Sequence, residues 1–237
     1  MRSRPPWTEA TTGYWQAFEP AEAWQPAPWR FGFPARLPDG RVLRLPIRPL
    51  PGDGTRAVAS LIANQAAFNV VDGLCAFMAA LAQPLAPEVV VGLPTLGQVF
   101  APGVAARLGR TRCVPLGYSR KFWYDEHLSV ELRSITTPGG GKRAYLDPDQ
   151  LALVEGRRIV VVDDAASTGS TLAGVLPFLE SLGTQVAGIV VAMLQGDAWR
   201  DALGTRAALV HGAFACPRLV LREDGWVPEQ VRPGMRG

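Results

Sequence analysis

The segment Arg157–Thr171, RRIVVVDDAASTGST, decides the fold of this 237-residue chain. After two arginines it continues with four consecutive apolar residues, Ile159–Val162, three of which are valines. Such a run is typical of a strand that is buried on both faces of a parallel sheet. The run stops at Asp163 and Asp164, whose adjacent carboxylates repel each other and are costly to desolvate. We therefore expect a cation or a set of hydroxyl groups to bind them.

The residues after the acidic pair predict a phosphate-binding loop. Positions 165–171 hold only small and hydroxyl residues, and a helix is predicted from about Leu172 to Leu182, where Gly183 ends it. Free backbone N–H groups and the helix dipole make such a loop a cradle for an anion. Additional hydroxyl donors are supplied by Ser167, Thr168, Ser170 and Thr171. Carboxylates beside a phosphate cradle suit a ribose 5-phosphate group, whereas the loop lacks the Gly-Lys-Ser/Thr of a Walker motif.

The segment resembles the phosphoribosyl pyrophosphate (PRPP) motif of type I phosphoribosyltransferases, because an apolar strand, an acidic pair, two small residues and Ser-Thr-Gly-Ser-Thr follow in order. An ordinary strand–turn–helix would leave the two carboxylates unexplained. The resemblance implies an α/β fold, a parallel twisted sheet with helices on both faces, plus a small cap, or hood. It also implies that Asp163 and Asp164 bind the ribose hydroxyls. The loop that binds the 5-phosphate would then comprise Ala165, Ala166, Ser167, Thr168, Gly169, Ser170 and Thr171.

A second strand–turn–helix lies ahead of the motif. Glu88–Leu93 reads as a buried strand, and a helix is predicted from Gln98 to Leu108. In the family that the chain resembles, the loop between them binds the pyrophosphate of PRPP. Here this loop consists of Pro94, Thr95, Leu96 and Gly97. Because it has no Arg or Lys, the resemblance implies that backbone N–H groups and Thr95 bind the anion.

A third strand, predicted over Arg112–Tyr118, leads into a long segment. Arg120 and Lys121 follow it directly, a strand-like piece lies near Leu128–Arg133, and three glycines precede Lys142. A loop of this length in a compact domain is usually functional. The resemblance implies a flexible lid over residues 119–142 that closes on PRPP. It places Arg120 and Lys121 with the acidic pair as catalytic groups, and assigns Arg120, Lys121 and Lys142 to the pyrophosphate.

The chain ends differ from this core in composition. Residues 1–52 are rich in Trp and Pro and contain a predicted hairpin, Trp29–Ala35 with Val42–Ile47, which either caps the active site or covers a sheet edge or an interface. Residues 216–237 contain a predicted strand or hairpin that completes the cap. Trp29 and Trp226 are candidates for stacking on a base, although ordinary core packing explains them equally well.

Residues 53–215 are predicted to form the phosphoribosyltransferase core. The apolar spacing of three and four predicts one long helix over Asp53–Ala82. After the motif helix we expect a strand over Gln185–Leu194, a short helix over Asp197–Leu203 and a strand over Arg206–Phe214. Alternating strands and helices predict a parallel sheet whose ligands bind at the carboxyl ends of its strands.

Composition narrows the function classes further. The net charge of +3 comes without a basic tract, so we expect no nucleic-acid partner. The three cysteines form no CxxC and are expected to be buried, reduced thiols. The N-terminus lacks the apolar region of a signal peptide. We also expect no apolar run of about 18 residues, the length that spans a membrane. A cytoplasmic protein without a membrane segment follows, and the resemblance implies a homodimer.

The resemblance, closest in layout to xanthine and adenine phosphoribosyltransferases, implies transfer of ribose 5-phosphate from PRPP to a nucleobase nitrogen, with release of pyrophosphate. It indicates a purine acceptor and Mg²⁺ bound through PRPP and waters, with Asp163 and Asp164 as potential ligands. The alternative is a non-catalytic PRPP-binding regulatory protein of the same fold. The intact acidic pair, the long lid and the lack of a preceding helix-turn-helix motif favour the enzyme.

Overall fold

The computed structural model describes residue 9 and residues 11–132 and 142–229. The strands are β1 (Phe18–Glu19), β2 (Gly32–Arg36), β3 (Val42–Pro49), β4 (Arg56–Ala59), β5 (Val89–Gly92), β6 (Val114–Pro115), β7 (Ser129–Leu132), β8 (Lys142–Tyr145), β9 (Arg158–Ala166), β10 (Gln185–Gln195), β11 (Val210–Cys216), β12 (Leu219–Arg222) and β13 (Gly225–Pro228). The α-helices are α1 (Phe68–Ala82), α2 (Gly97–Arg107), α3 (Leu151–Val154), α4 (Ser170–Ser181) and α5 (Ala198–Leu203).

The central sheet is parallel and has the order β11-β10-β9-β5-β6. Its middle strand, β9, carries the apolar run Ile159–Val162, and all four side chains are fully buried. The carboxyl ends of parallel strands lie at one edge of a sheet, so the turns after β5, β6 and β9 meet there. This arrangement confirms the predicted α/β fold.

Each face of the central sheet has its own hydrophobic core. Val160 and Val162 point into a core that includes side chains of α1, α2 and the antiparallel strands. Ile159 and Val161 point into a second core with side chains of α4 and α5. Burial on both faces is the physical reason why the run has no polar alternation.

The N-terminal and C-terminal segments share an antiparallel sheet of the order β1-β3-β4-β12-β13, with β2 also paired to β3. In the predicted hairpin, Phe33 of β2 lies opposite Leu45 of β3. The predicted C-terminal hairpin is formed by β12 and β13. Backbone hydrogen bonds between Trp29 and Trp226, with N···O distances of 2.8 and 2.6 Å, join the two chain ends. Both hairpin predictions are therefore confirmed.

The long helix predicted from Asp53 begins only at Phe68. Residues 56–59 instead form β4, which pairs with β3 and β12. Ala57 and Ala59 are fully buried and alternate with more exposed neighbours, so the two-residue period of a strand overrides the helical spacing. Asp53 closes a turn by accepting a hydrogen bond from the Thr55 N–H at 2.9 Å.

Several strand boundaries also differ from the expectation. β6 covers only Val114–Pro115, and the Leu116 N–H behind it still donates to the Gly92 carbonyl of β5 at 3.0 Å. β11 begins at Val210 because residues 204–209 form a 3₁₀ segment. β9 continues to Ala166, so the acidic pair lies within the strand. The predictions for β10 and α5 are confirmed.

Contrary to the expectation from the sequence, one segment, Phe68–Leu85, is long and apolar enough to cross a membrane by length and composition alone. Core helices of water-soluble domains meet the same criterion. Val70, Leu74 and Met78 of this segment are fully buried in the hydrophobic core shared with α2 and the sheets. In this fold α1 therefore serves as a core helix.

The three cysteines are free, as expected. Cys75 and Cys216 are buried and Cys113 is half-buried. Burial raises the pKa of Cys75 to about 11 and raises that of Cys216 still further. Such thiols stay protonated at neutral pH, which fits a packing role.

Candidate active site

A cavity of about 280 Å³ lies where the turns after β5, β6 and β9 meet. Its walls are Pro94, Thr95, Leu96, Tyr118, Lys142, Asp163, Asp164, Ala165, Ala166, Ser167, Thr168, Gly169, Ser170, Thr171 and Leu172. The fold therefore brings together the acidic pair, the seven loop residues expected to bind the 5-phosphate, and four of the seven residues expected to bind pyrophosphate, namely Pro94, Thr95, Leu96 and Lys142.

The loop from Ala165 to Thr171 ends at the N-terminus of α4. Gly169 has φ +79°, and a Cβ there would come within 3.0 Å of the Trp199 Cα and of the Ala202 Cβ. Only glycine meets both requirements at this position. The Thr168 and Ser170 hydroxyl oxygens are 3.0 Å apart. Because the first turn of a helix has unpaired N–H groups, this loop has the backbone geometry that favours an anion.

The acidic pair is enclosed by the protein. The Asp163 side chain is almost fully buried, and its Oδ1 accepts a hydrogen bond from the Asp164 N–H at 2.9 Å. Burial, together with the negative charge of Asp164, raises the pKa of Asp163 well above its ordinary value. Burial also raises the pKa of Asp164. Both shifts show that ionised carboxylates are unfavourable here without a positive or hydrogen-bonding ligand.

Gly97, which was also expected to bind pyrophosphate, does not line the cavity and instead packs against the backbone of Val162 and Asp163. A Cβ on Gly97 would lie 2.6 Å from the Val162 carbonyl oxygen and 2.9 Å from Asp163 Oδ1. Glycine is therefore required for α2 to begin directly against the end of β9. The preceding turn contains a cis peptide bond between Pro94 and Thr95. Gln98 Nε2 donates to the Leu116 carbonyl and so ties the start of α2 to the end of β6.

Two further side chains line the cavity with the acidic pair: Tyr118, in the turn after β6, and Lys142, the first residue of β8. Lys142 Nζ lies 5.2 Å from the centre of the Tyr118 ring. Burial raises the pKa of Tyr118, and the negative charges of Asp163 and Asp164 raise it further. The backbones of Gly117 and Tyr145 exchange two hydrogen bonds, with N···O distances of 2.9 and 2.8 Å, which hold β8 at this place. Lys142 therefore lines the cavity as expected, while Tyr118 was missed.

This architecture has known counterparts. The family model described as "Phosphoribosyl transferase domain" matches residues 57–205, well over half of the chain. The chain belongs to the phosphoribosyl transferase domain family. Adenine phosphoribosyltransferase of Symbiobacterium thermophilum is 31% identical over 150 residues, which are 63% of this chain and 82% of that protein.

Further relatives agree in fold. Adenine phosphoribosyltransferase of Parafrankia sp. (strain EAN1pec) is 32% identical over 158 residues, covering 66% of this chain and 80% of that protein. The crystal structure of the Giardia lamblia APRTase, solved with 9-deazaadenine, superimposes with a TM-score of 0.57 at 19% identity over 72% of this chain and 93% of that chain. The type I phosphoribosyltransferase fold expected from the motif is thus confirmed.

In this phosphoribosyl transferase domain, Arg120 and Lys121 lie outside the walls of the cavity. Arg120 Nε is 2.8 Å from Glu126 Oε1, and both side chains are largely exposed. The segment then returns as the antiparallel pair β7–β8. Leu128, directly before β7, and Leu132 of β7 are buried in the core that includes side chains of α4. Residues 133–141 of the predicted lid lie outside the described residues. A role for Arg120 and Lys121 at the pyrophosphate requires them to move inward.

The proposal that Trp29 and Trp226 stack on a base is not supported by their positions. Trp226 is fully buried in the core of the antiparallel sheet, so its ring has no face free for a ligand. Trp29 is also buried, packs edge-on against Phe33 with ring centres 4.9 Å apart, and donates its indole N–H to the Gln25 carbonyl. Both rings hold the chain ends together, which is the packing alternative weighed above.

Within the described part of the chain, no group of three or more His, Cys, Asp or Glu side chains could enclose a metal ion. The two carboxylates of Asp163 and Asp164 nevertheless fit Mg²⁺. This ion keeps several waters and is commonly held by one or two carboxylates together with the phosphates of a substrate. A cation held by both carboxylates would favour their ionised forms and so oppose the effect of burial on their pKa values.

Replacing Asp163 with Asn should stabilise the ligand-free protein at neutral and alkaline pH. The raised pKa in the folded state means that protonation of the pair favours folding, so this stability is present below the ordinary aspartate pKa of about 3.9 and is lost as pH rises through the folded value. We expect D163N to raise Tm at pH 8, by about 2–4 °C for each kcal/mol by which the free energy of unfolding increases, as measured by calorimetry.

The Tm difference between D163N and the wild type should shrink as the pH falls towards 5. The exposed Asp201 on α5 provides the control, since D201N should leave Tm nearly unchanged across this range. A Tm for D163N that equals or falls below that of the wild type at pH 8 would show that the ionised pair is not a source of instability.

Proposed function

We propose that this protein is a phosphoribosyltransferase that transfers ribose 5-phosphate from PRPP to a ring nitrogen of a purine and releases pyrophosphate. One observation carries the proposal: a single cavity unites the buried pair Asp163–Asp164 with the phosphate cradle at the N-terminus of α4. The names of the relatives support adenine as the first acceptor to test. The product, a purine nucleotide, assigns the enzyme to nucleotide salvage.

The residues account for both charges that develop in the reaction. The bond from the anomeric carbon to the pyrophosphate oxygen breaks as the purine nitrogen bonds to that carbon, so positive charge grows on the ribose and negative charge on the leaving group. Asp163 and Asp164 accept hydrogen bonds from the ribose hydroxyls and stabilise the positive charge. The loop 165–171 anchors the 5-phosphate. Catalysis of this kind rests on positioning and electrostatics.

The leaving pyrophosphate is bound on the opposite wall. The backbone N–H groups of Thr95 and Leu96, the Thr95 hydroxyl and the positive charge of Lys142 are available there. Tyr118 contributes its hydroxyl beside Lys142. When bound, Mg²⁺ would neutralise the pyrophosphate oxygens, with Asp163 and Asp164 as the residues that hold it. Arg120 and Lys121 complete the site if the segment 119–142 closes as a lid.

The remaining assignments belong to the same proposal. We take residues 1–52 and 216–237 as the cap, residues 53–215 as the core, and the active form as a cytoplasmic homodimer. The shared antiparallel sheet of the two chain ends supports the cap. Light scattering of the purified protein tests the dimer directly.

The acceptor site is proposed in the cap. A cavity of about 650 Å³ lies between the N-terminal arm and β3, and its aromatic lining suits a flat heterocycle. It is lined by Glu9, Thr11, Thr12, Tyr14, Trp15, Phe31, Pro46, Ile47, Arg48 and Gln65. Arg48 Nε and the Trp15 indole N–H donate to the side chain and the carbonyl of Ser60, at 2.8 and 2.9 Å. Ala59, the residue before Ser60, accepts a hydrogen bond from Gln195, and Gln195 accepts one from Ser167 of the phosphate loop. These contacts link the wall of the cap cavity to the phosphate loop.

The first experiment tests turnover. Purified protein with PRPP, Mg²⁺ and a panel of bases should release pyrophosphate with adenine. The double variant D163N/D164N should keep the fold and lose turnover, since two hydrogen bonds to charged groups contribute about 1.5–3 kcal/mol each to PRPP binding. If the wild type binds PRPP but no base releases pyrophosphate, the regulatory alternative replaces the enzyme.

The second experiment tests the lid cations. R120A and K121A should each lower kcat about 100-fold with little change in PRPP affinity, because they face charge that grows only as pyrophosphate leaves. Arg110, an exposed arginine lining a different pocket, provides the matched control R110A. An equal loss in all three variants, or weaker PRPP binding without a loss of kcat, would contradict this role.

The third experiment tests the acceptor cavity. R48M should raise KM for adenine about tenfold or more while the affinity for PRPP stays constant, since a hydrogen bond from a charged donor contributes about 1.5–3 kcal/mol. Arg36, an exposed residue of β2 that stacks on Trp24, gives the control R36M. Equal adenine KM values for R48M, R36M and the wild type would place the acceptor elsewhere.

A further inference from the structure

Gln195 is one of few buried polar side chains among the described residues, and it joins two parts of the molecule. It is the last residue of β10 and lies directly before Gly196. Its Nε2 donates to the Ala59 carbonyl at 2.5 Å. Its Oε1 accepts a hydrogen bond from the Ser167 hydroxyl at 2.9 Å. Both polar ends of the amide are therefore used inside the protein.

The two hydrogen bonds determine the direction of the amide. The Ala59 carbonyl can only accept, so the NH₂ group of Gln195 must face it and the amide oxygen must face Ser167. Ser167 then has to donate its hydroxyl hydrogen to Gln195. With that hydrogen committed, Ser167 cannot donate to a phosphate through its side chain. This separates Ser167 from the other hydroxyl residues of the loop, which were all expected to act as donors.

The partners of Gln195 belong to different layers. Ala59 ends β4 of the antiparallel sheet, and the next residue, Ser60, contacts Trp15 and Arg48 in the wall of the cap cavity. Ser167 lies in the phosphate loop. The same end of β10 also supports this loop through Trp199, which donates its indole N–H to the Gly196 carbonyl at 2.9 Å and packs against Gly169. One side chain thus connects the antiparallel sheet with the phosphate loop.

We propose that Gln195 is a positioning residue that sets the geometry of the phosphate loop and couples it to the antiparallel sheet, which β4 forms together with the strands of the cap. The inference rests on the proposed function, because it concerns how the 5-phosphate of PRPP is held. Gln195 does not line the cavity and acts through Ser167 and Ala59. Loss of the bridge leaves Ser167 free to turn and β4 free to shift relative to the loop.

The test compares three substitutions. Q195M keeps the length of the side chain and removes both hydrogen bonds, so it should raise Kd for PRPP and KM for PRPP about tenfold and change kcat less than about threefold. Q195E can still accept from Ser167 but sets a buried carboxylate oxygen against the Ala59 carbonyl, so it should raise Kd for PRPP at least as much as Q195M. Q185M is the matched control, since Gln185 is an exposed glutamine at the other end of β10, and its PRPP affinity should equal that of the wild type.

A double-mutant cycle distinguishes positioning from general support of the fold. If Gln195 acts through Ser167, S167A in the Q195M background should weaken PRPP binding much less than S167A does alone. The proposal would be overturned if the effects of Q195M and S167A on PRPP binding were additive. It would also be overturned if Q195M and Q195E bound PRPP as tightly as the control Q185M. Should Q195M fail to fold, Q195E and the cycle S167A/Q195E decide it. A wild type that does not bind PRPP at all would instead contradict the proposed function.

Discussion

The repulsion between two buried carboxylates is the constraint on which the rest of this structure depends. Asp163 and Asp164 lie within the central strand, where burial raises both pKa values and the charge of Asp164 raises that of Asp163 further. Hydrophobic residues at these positions would give a more stable domain, and the proposed function explains the pair as the site that binds the ribose of PRPP. The elements around the pair supply positive potential. They are the N-terminus of α4, the backbone N–H groups of the turn after β5, and Lys142.

Close backbone packing makes this arrangement possible. α2 begins against the end of β9 only because Gly97 has no Cβ, and the phosphate loop lies against α5 only because Gly169 has none. These contacts bring three loops of the parallel sheet around one cavity of about 280 Å³. Hydrophobic side chains cover both faces of β9, so the strand that carries the acidic pair is shielded from water. A rigid core thus positions a polar site that is itself unfavourable to build.

The cap is joined to this core by specific polar contacts as well as by hydrophobic packing. The chain ends share one antiparallel sheet, which Trp226 fills from inside. Gln195 links that sheet to the phosphate loop through the Ala59 carbonyl. A reaction between two substrates requires both to be held in one geometry, and a buried bridge between their proposed sites limits relative movement. The cap is therefore more than a cover in this proposal, because it takes part in positioning PRPP.

The sequence by itself determined the central sheet and most of the cavity. Continuous apolar strands, an acidic pair and a hydroxyl-rich loop are local patterns whose meaning depends on neighbours in the chain, so Asp163 to Thr171 and Pro94 to Leu96 could be placed in advance. Only the tertiary structure decided the rest: residues 56–59 became β4, Trp226 became core, and Tyr118 and Gln195 joined the site. Gln195 meets partners 28 and 136 positions away. Contacts between residues so far apart in the chain depend on how the two sheets pack against each other. A local sequence pattern does not contain that information.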